Sequence, residues 1–333
     1  MSFITGNKIK ISIFGQSHSE YIGVTLDGLP VGESIDLDAL NAFTERRRAG
    51  GGAYSTQRKE DDAVQVICGL VNNRTCGSPL TAIIKNKDAD SSAYEYLKTT
   101  PRPSHADFAA GVKYNGFNDI RGGGHFSGRL TAPLCIAGGI CVQILQRKGV
   151  EISAFIKAIG DIEYSENNKK LIDKLFESLR AEGDSVGGII ECNISGLPAG
   201  VGEPMFDSFE GVLAKTLFAI PAVKGVEFGA GFNISKMKGS SANDVFCFEN
   251  GKIVTKTNNN GGINGGLTNG MPVNFRVAFK PVPSIAREQD TVDLKNKTNT
   301  KIKIGGRHDV CIVPRAVVCV EAAAAAVVLD LMS

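Results

Sequence analysis

The feature that most restricts the fold is a short stretch that occurs twice. Asp27-Gly28-Leu29-Pro30-Val31-Gly32-Glu33 is echoed by Ser195-Gly196-Leu197-Pro198-Ala199-Gly200, with Glu203 shortly after. Farther along, Gly77-Ser78-Pro79 leads into an apolar strand, as Gly270-Met271-Pro272 does. Turn residues can coincide by chance. Here each half runs in the same order: strand, Gly-Leu-Pro turn, helix, glycine-rich segment, strand. That order points to two pseudo-repeated halves, roughly 1–150 and 151–333, in a single domain. No low-complexity linker separates them.

Strand-like stretches with β-branched residues are Lys8–Phe14, Gly23–Leu26, Ala63–Ile67, Leu80–Ile84, Gly188–Ile194 and Val273–Phe279. Helical patterns cover Asp36–Arg48, Thr131–Lys148, Lys169–Glu182, Phe206–Phe218 and Ala316–Leu331, with Asp36 and Asp38 in the first turn of the first. The fold class is α/β in the mixed, α+β sense, without the regular βαβα alternation of a doubly wound sheet. A chain of 333 residues, 42% hydrophobic and 22% charged, can bury a large core. Its net charge of +2 argues against a dedicated nucleic-acid or membrane-surface protein and turns attention to a small anionic ligand. Met1 to Ser12 lacks the apolar core of a signal peptide. The apolar stretch Ala316 to Met332 contains Glu321 and Asp330 and reads as a buried helix. Eight cysteines without a CxxC pair or a secretory signal read as reduced thiols in the cytoplasm.

All four histidines, His18, His105, His125 and His308, sit in polar or glycine-rich contexts, where an imidazole suits proton transfer. Arg46-Arg47-Arg48 ends the first helical pattern, where complementing the helix dipole explains one or two of the charges. Arg58, Arg102, Arg121, Arg129 and Arg307 fall in loop-like segments, and their forked guanidiniums suit phosphate and carboxylate. Arg121-Gly-Gly-Gly-His125-Phe126-Ser127-Gly128-Arg129 runs into the helix at Thr131, as a phosphate-binding loop or as a plain turn. Neither a GxxxxGK[ST] loop nor a strand-linked GxGxxG is present, Gly15-Gln16-Ser17-His18-Ser19 is not a GxSxG elbow, and no ligand spacing suggests a metal.

Taken together, these segments resemble the chorismate synthase family over nearly the whole chain. The resemblance rests on Gly15-Gln16-Ser17-His18 with Asp27-Gly28-Leu29-Pro30, on Ser55-Thr56-Gln57-Arg58-Lys59-Glu60-Asp61, and on Arg102-Pro103-Ser104-His105-Ala106-Asp107 with Lys113-Tyr114. It continues through Ser127-Gly128-Arg129-Leu130-Thr131, Val223–Gly229, the Gly261–Gly270 loop, Lys280-Pro281, and Arg307-His308-Asp309 with Pro314-Arg315 and Glu321. The resemblance implies a β-α-β sandwich with an internal pseudo-repeat, assembled as a homotetramer, with reduced FMN as cofactor and NADPH as a candidate reductant. Flavin contacts would fall on His125, Phe126, Ser127, Pro221, Ala222, Gly265, Lys280, Pro281, Val282, Pro283, Ser284 and Arg307. Catalytic roles would fall on His18, His105 and Asp309, and contacts with substrate or NADP on Arg47, Arg58 and Arg129.

The implied reaction is a 1,4-elimination: phosphate leaves C3 of 5-enolpyruvylshikimate 3-phosphate and a hydrogen leaves C6, giving chorismate. That hydrogen is not acidic, so the family relies on transient electron donation from reduced FMN, with no net redox change. The enzyme class is a carbon–oxygen lyase acting on phosphates, in the shikimate pathway of aromatic amino-acid biosynthesis. This chain departs from the family at Gln16 (usually Glu), Ser19 (usually Gly), Ala53 (often Arg) and His125 (commonly Arg). Those departures keep a non-catalytic flavin- or anion-binding relative as the alternative.

Overall fold

Ile11, Ile22, Val24 and Leu26 lie on adjacent strands and are all buried, so one face of this first sheet is committed to a core. A computed structural model describes residues 4–48, 62–86, 92–305 and 309–333. The first repeat comprises β1 (Ile4–Thr5), β2 (Lys10–Gly15), β3 (Tyr21–Asp27), α1 (Leu37–Glu45), β4 (Gln65–Cys68), the small hairpin β5–β6 (Leu70–Val71, Arg74–Thr75), β7 (Leu80–Lys85), α2 (Asp107–Lys113) and α3 (Thr131–Arg147). The second begins with β8 (Glu151–Ile159), β9 (Ile162–Glu163), α4 (Lys169–Glu182), β10 (Gly188–Ser195), α5 (Phe209–Leu217), β11 (Val223–Phe228) and α6 (Gly239–Ala242). It ends with the hairpins β12–β13 (Phe246–Glu249, Lys252–Thr255) and β14–β15 (Ile263–Asn264, Leu267–Thr268), strand β16 (Val273–Phe279), the hairpin β17–β18 (Glu288–Asp293, Thr298–Lys303) and α7 (Val313–Met332).

Two five-stranded antiparallel sheets, ordered β1-β2-β3-β7-β4 and β9-β8-β10-β16-β11, enclose a helical layer. The inner orders β2-β3-β7-β4 and β8-β10-β16-β11 correspond, with α1 and α5 following the second strand of each and α3 and α7 following the third. The turns repeat atom for atom. Thr75 Oγ1 donates to Pro30 O at 2.6 Å and accepts from Glu33 N at 2.8 Å. Thr268 Oγ1 donates to Pro198 O at 2.6 Å and accepts from Val201 N at 2.9 Å. Gly28 and Gly196 take φ of 84° and 81°, and a Cβ there would stand 2.1 Å from Lys8 O or 2.0 Å from Gly149 O. Only glycine fits such a turn.

The central layer is apolar on all sides, as a helix pair sealed between sheets must be. Ala322 to Ala326 of α7 are buried, as is Gly138 of α3, where a Cβ would lie 2.3 Å from that of Ala322. The small residues let the two backbones approach. Among the described residues one segment, Gly128–Arg147, is long and apolar enough to cross a membrane, but it is mostly buried inside this layer, against α7 and β3.

The helix at 206–218 starts later than its periodicity suggests, because Ser208 Oγ accepts from Gly211 N at 3.0 Å and places the cap there. Asp36 precedes α1 as its cap, accepting from Asp38 N and Ala39 N at 2.9 and 3.0 Å, rather than lying in its first turn. Helix α7 starts at Val313, with Pro314 in its first turn, where a missing N–H costs nothing. Strands β8 and β11 have no counterpart in the sequence-based reading. β8 alternates exposed Glu151, Ser153 and Phe155 with partly buried Ile152, Ala154 and Ile156.

Candidate active site

The three glycines after Arg121 take φ of 58°, 85° and 54°, a succession of left-handed positions open only to glycine. A Cβ on Gly122 would lie 2.6 Å from Nε2 of His18 and 2.5 Å from Oγ of Ser17. One on Gly123 would lie 3.2 Å from Nε2 of His105, and one on Gly124 2.0 Å from the carbonyl of Asp119. The run is therefore a wall without side chains, touched by His18 at one residue and by His105 at the next. His18 is 7% exposed, in the turn after β2. That turn is pinned by Ser17 N donating to Gly124 O at 3.0 Å and by Asn86 Nδ2 donating to Ser19 O at 2.7 Å. Ser19, where the family usually has glycine, closes the same turn: its Oγ accepts from Gln16 N at 2.9 Å and lies 2.6 Å from Tyr21 O. Hydrogen bonds from Arg121 hold the Asp119 carboxyl below the usual range, with a smaller pull from nearby His18.

His105 stands in a second cluster. Its Nδ1 is 2.6 Å from Oδ1 of Asp107, whose carboxylate accepts from Nε and Nη2 of Arg102 at 2.7 and 2.8 Å. Burial works to raise the Asp107 carboxyl, but the hydrogen bonds from Arg102 and His105 outweigh it and leave it well below the usual carboxylate range.

The three arginines after α1 each meet a carboxylate. Arg46 forks onto Glu321 of α7 at 2.6 and 2.9 Å, and Arg48 meets Glu45 at 2.7 Å. Arg47 is only 3% exposed. Its Nε donates to Thr131 Oγ1 at 2.8 Å, Nη1 to Asp62 at 3.1 Å and Nη2 to Gly128 O at 3.3 Å. Arg129 donates to the other oxygen of Asp62 at 2.5 Å and to Asn86 Oδ1 at 3.0 Å. Asp62 thus joins two arginines, and Asn86 joins this network to the His18 turn.

The segments expected to hold the cofactor converge in part on the same wall. Lys280 N donates to Ala222 O at 2.9 Å, bringing Pro221-Ala222 beside Lys280–Ser284. Lys280 Nζ donates to Ser104 O at 2.6 Å, and Arg102 Nη1 to Ser284 Oγ at 3.2 Å, which joins that pair to His105. Burial, aided by Lys224, pushes the Lys280 amine below its ordinary value. Ala222 holds φ of 74°, a strained setting for a residue with a Cβ. His125 stacks on Phe126 with ring centroids 4.3 Å apart and meets Tyr114 edge-on at 5.2 Å, and burial lowers its pKa. Ser127 Oγ accepts from Arg129 N at 3.3 Å. The aromatic ring of Phe126 and the amine of Lys280 border these segments and have the chemistry to hold a flat anionic flavin.

Asp309 lies just before α7, in an ion pair with Arg315 at 2.7 Å. Gly265 is in the β14–β15 hairpin, tied through Gly266 O to Phe209 N. Arg58, Arg307 and Ala53 lie outside the described residues. Asp62, Asn86 and Asp107 carry no role in the sequence-based reading. The signals were an acidic pair at 61–62 and a His-x-Asp spacing at 105–107; Asn86 offered none.

The chorismate synthase family model matches residues 9–333. The chain is 45% identical to a chorismate synthase of Dehalococcoides mccartyi, with 99% of this chain and 96% of the relative covered. It is 44% identical to that of Thermococcus kodakarensis, covering 98% and 96%. A crystal structure of chorismate synthase, 24% identical, superposes with a TM-score of 0.77 over 98% of this chain and 92% of the other, a likeness of fold.

Proposed function

Because the chain belongs to the chorismate synthase family, we propose that it eliminates phosphate from 5-enolpyruvylshikimate 3-phosphate to give chorismate, as a carbon–oxygen lyase of aromatic amino-acid biosynthesis. The observation that carries this reading is the placement of His18 and His105 against successive glycines of one bare wall. Two proton-handling groups thereby stand against neighbouring residues of one loop, as an elimination that releases an anion and a hydrogen would use them.

His18, as imidazolium, stabilises the charge that develops on the departing phosphate. His105 lies on the cofactor side, to protonate or hydrogen-bond the flavin, and Asp309 serves there as base. Arg129, Arg47 and Arg58 are assigned to the substrate's anionic groups. Because Arg47 spends its donors on Asp62, Thr131 and Gly128, its part is to hold Asp62 and the start of α3 in place as well as to supply charge. His125–Ser127, Pro221-Ala222, Gly265, Lys280–Ser284 and Arg307 are the residues assigned to FMN. Reduced FMN, when bound, supplies the transient electron donation that eases phosphate departure without net redox change.

The same reading includes a single domain of two pseudo-repeated halves, a homotetramer, a cytoplasmic location and NADPH as reductant. Anaerobic measurement of phosphate release with reduced and with oxidised FMN tests it. Many turnovers per reduced flavin are expected, and none with oxidised flavin. Flavin consumed one-for-one with product, or FMN bound without phosphate release, rejects it, the latter in favour of a non-catalytic relative.

A further inference from the structure

We propose that Asp107 is a positioning residue for His105: clamped by Arg102, its carboxylate makes Nδ1 the donor and leaves Nε2 as the nitrogen that faces the glycine wall. The inference deepens the proposed function and rests on its assignment of His105 to proton handling.

Four observations carry it. The Asp107 side chain is 4% exposed, and its Oδ1 is 2.6 Å from Nδ1 of His105. The carboxylate is already engaged by Arg102 through Nε, Nη2 and the main-chain N at 2.7, 2.8 and 3.1 Å. An ionised carboxylate only accepts, so the proton of a neutral His105 must sit on Nδ1. The other ring nitrogen, Nε2, faces Gly123 and lies 3.2 Å from Nη2 of Arg102, a guanidinium that can only donate and so suits an unprotonated Nε2.

Plain helix capping does not account for the arrangement. Asp107 is the first residue of α2, yet its carboxylate bonds Arg102 and His105, while α2 has no side-chain cap. The clamp is anchored outside its own loop as well, through Arg102 to Ser284. Without the carboxylate, the ring could present either nitrogen to the wall, and a proton held at the wrong atom is lost to the reaction. Among the described residues, the charged groups set around His105 include Arg102, whose Nη2 is 3.0 Å from Nδ1 and 3.2 Å from Nε2, Asp107, and Lys280 on the neighbouring Ser104 carbonyl.

The test is a ¹⁵N-histidine NMR titration of the flavin-free protein, with His105→Ala used to assign the signal. The Nδ1–H tautomer is expected for neutral His105 in the parent. In Asp107→Asn a tautomer mixture is expected. With reduced FMN, kcat of that variant should fall about 10-fold, with KM for the substrate little changed. Asp107→Glu should restore part of both signals. An Nε2–H tautomer in the parent overturns the proposal, and so does an unchanged His105 signal in Asp107→Asn. Should Asp107→Asn fail to fold, the parent's tautomer decides alone. A changed His105 signal with unchanged turnover upholds the positioning and instead removes His105 from the reaction.

Discussion

The two halves of the chain have corresponding strand orders and differ in what they hang from them. After α1 the first runs into Arg46-Arg47-Arg48; after α5 the second runs into Ile220-Pro221-Ala222. The link from β2 to β3 is a tight turn carrying His18, whereas the link from β8 to β10 contains β9 and α4. Past β7 lies Asn86, which holds the His18 turn; past β16 lies Lys280, which reaches the carbonyl before His105. The conserved parts are those that bury area or close a turn. The divergent parts are connections, where a change of side chain costs the core little and can create chemistry.

Asp62→Ala should break the first repeat without touching anything shared. It strips the carboxylate from two buried arginines, so a loss of about 3–5 kcal/mol is expected by denaturant unfolding. Arg47→Ala should destabilise strongly as well, well beyond the roughly 0.3–1 kcal/mol of an exposed helix-end arginine. Its turnover must be scored per folded molecule. A loss near zero for Asp62→Ala would mean the arginines are held by something else.

His18→Ala and His105→Ala separate chemistry from skeleton. Each should lower turnover about 10²-fold or more, which is about 2.7 kcal/mol in the barrier, while the unfolding midpoint and FMN binding stay close to the parent's. Unfolded variants would make these histidines structural.

The shared part is sharpened by a matched pair. Thr75→Val and Thr268→Val each orphan a prolyl carbonyl and a main-chain N–H, so each should cost about 1–3 kcal/mol. The two losses should agree within about 0.5 kcal/mol, and a one-sided loss would show that the turns are alike in geometry only.

The smallest effect is a pH dependence. Because the folded-state pKa of Asp107 is depressed, its ionised form stabilises the fold fully above the unfolded carboxylate range, near pH 4. That contribution fades as pH falls below this range toward the folded value. Asp107→Asn should therefore flatten the acid side of the stability curve and leave its slope near neutrality unchanged.

Much of this was legible in the chain itself. The doubled Gly-Leu-Pro turn was one such signal, since a turn that demands φ near +80° with a carbonyl about 2 Å from any Cβ can be built from few residues. Helix α4 was visible through its amphipathic periodicity and α3 and α7 through long, nearly unbroken apolar runs, all local signals. So was the glycine run beside the histidines. The partners were another matter. Arg47 read as a helix-end charge open to a ligand, and only the tertiary structure set it against Asp62 and Thr131, 15 and 84 residues away. Asn86 had no pattern to give it away, and Asp107 looked like any helix-starting acid. Periodicity tells a residue which way to face, but what stands opposite is decided when sheets and helices pack. A buried charge then takes whichever counter-charge that packing delivers.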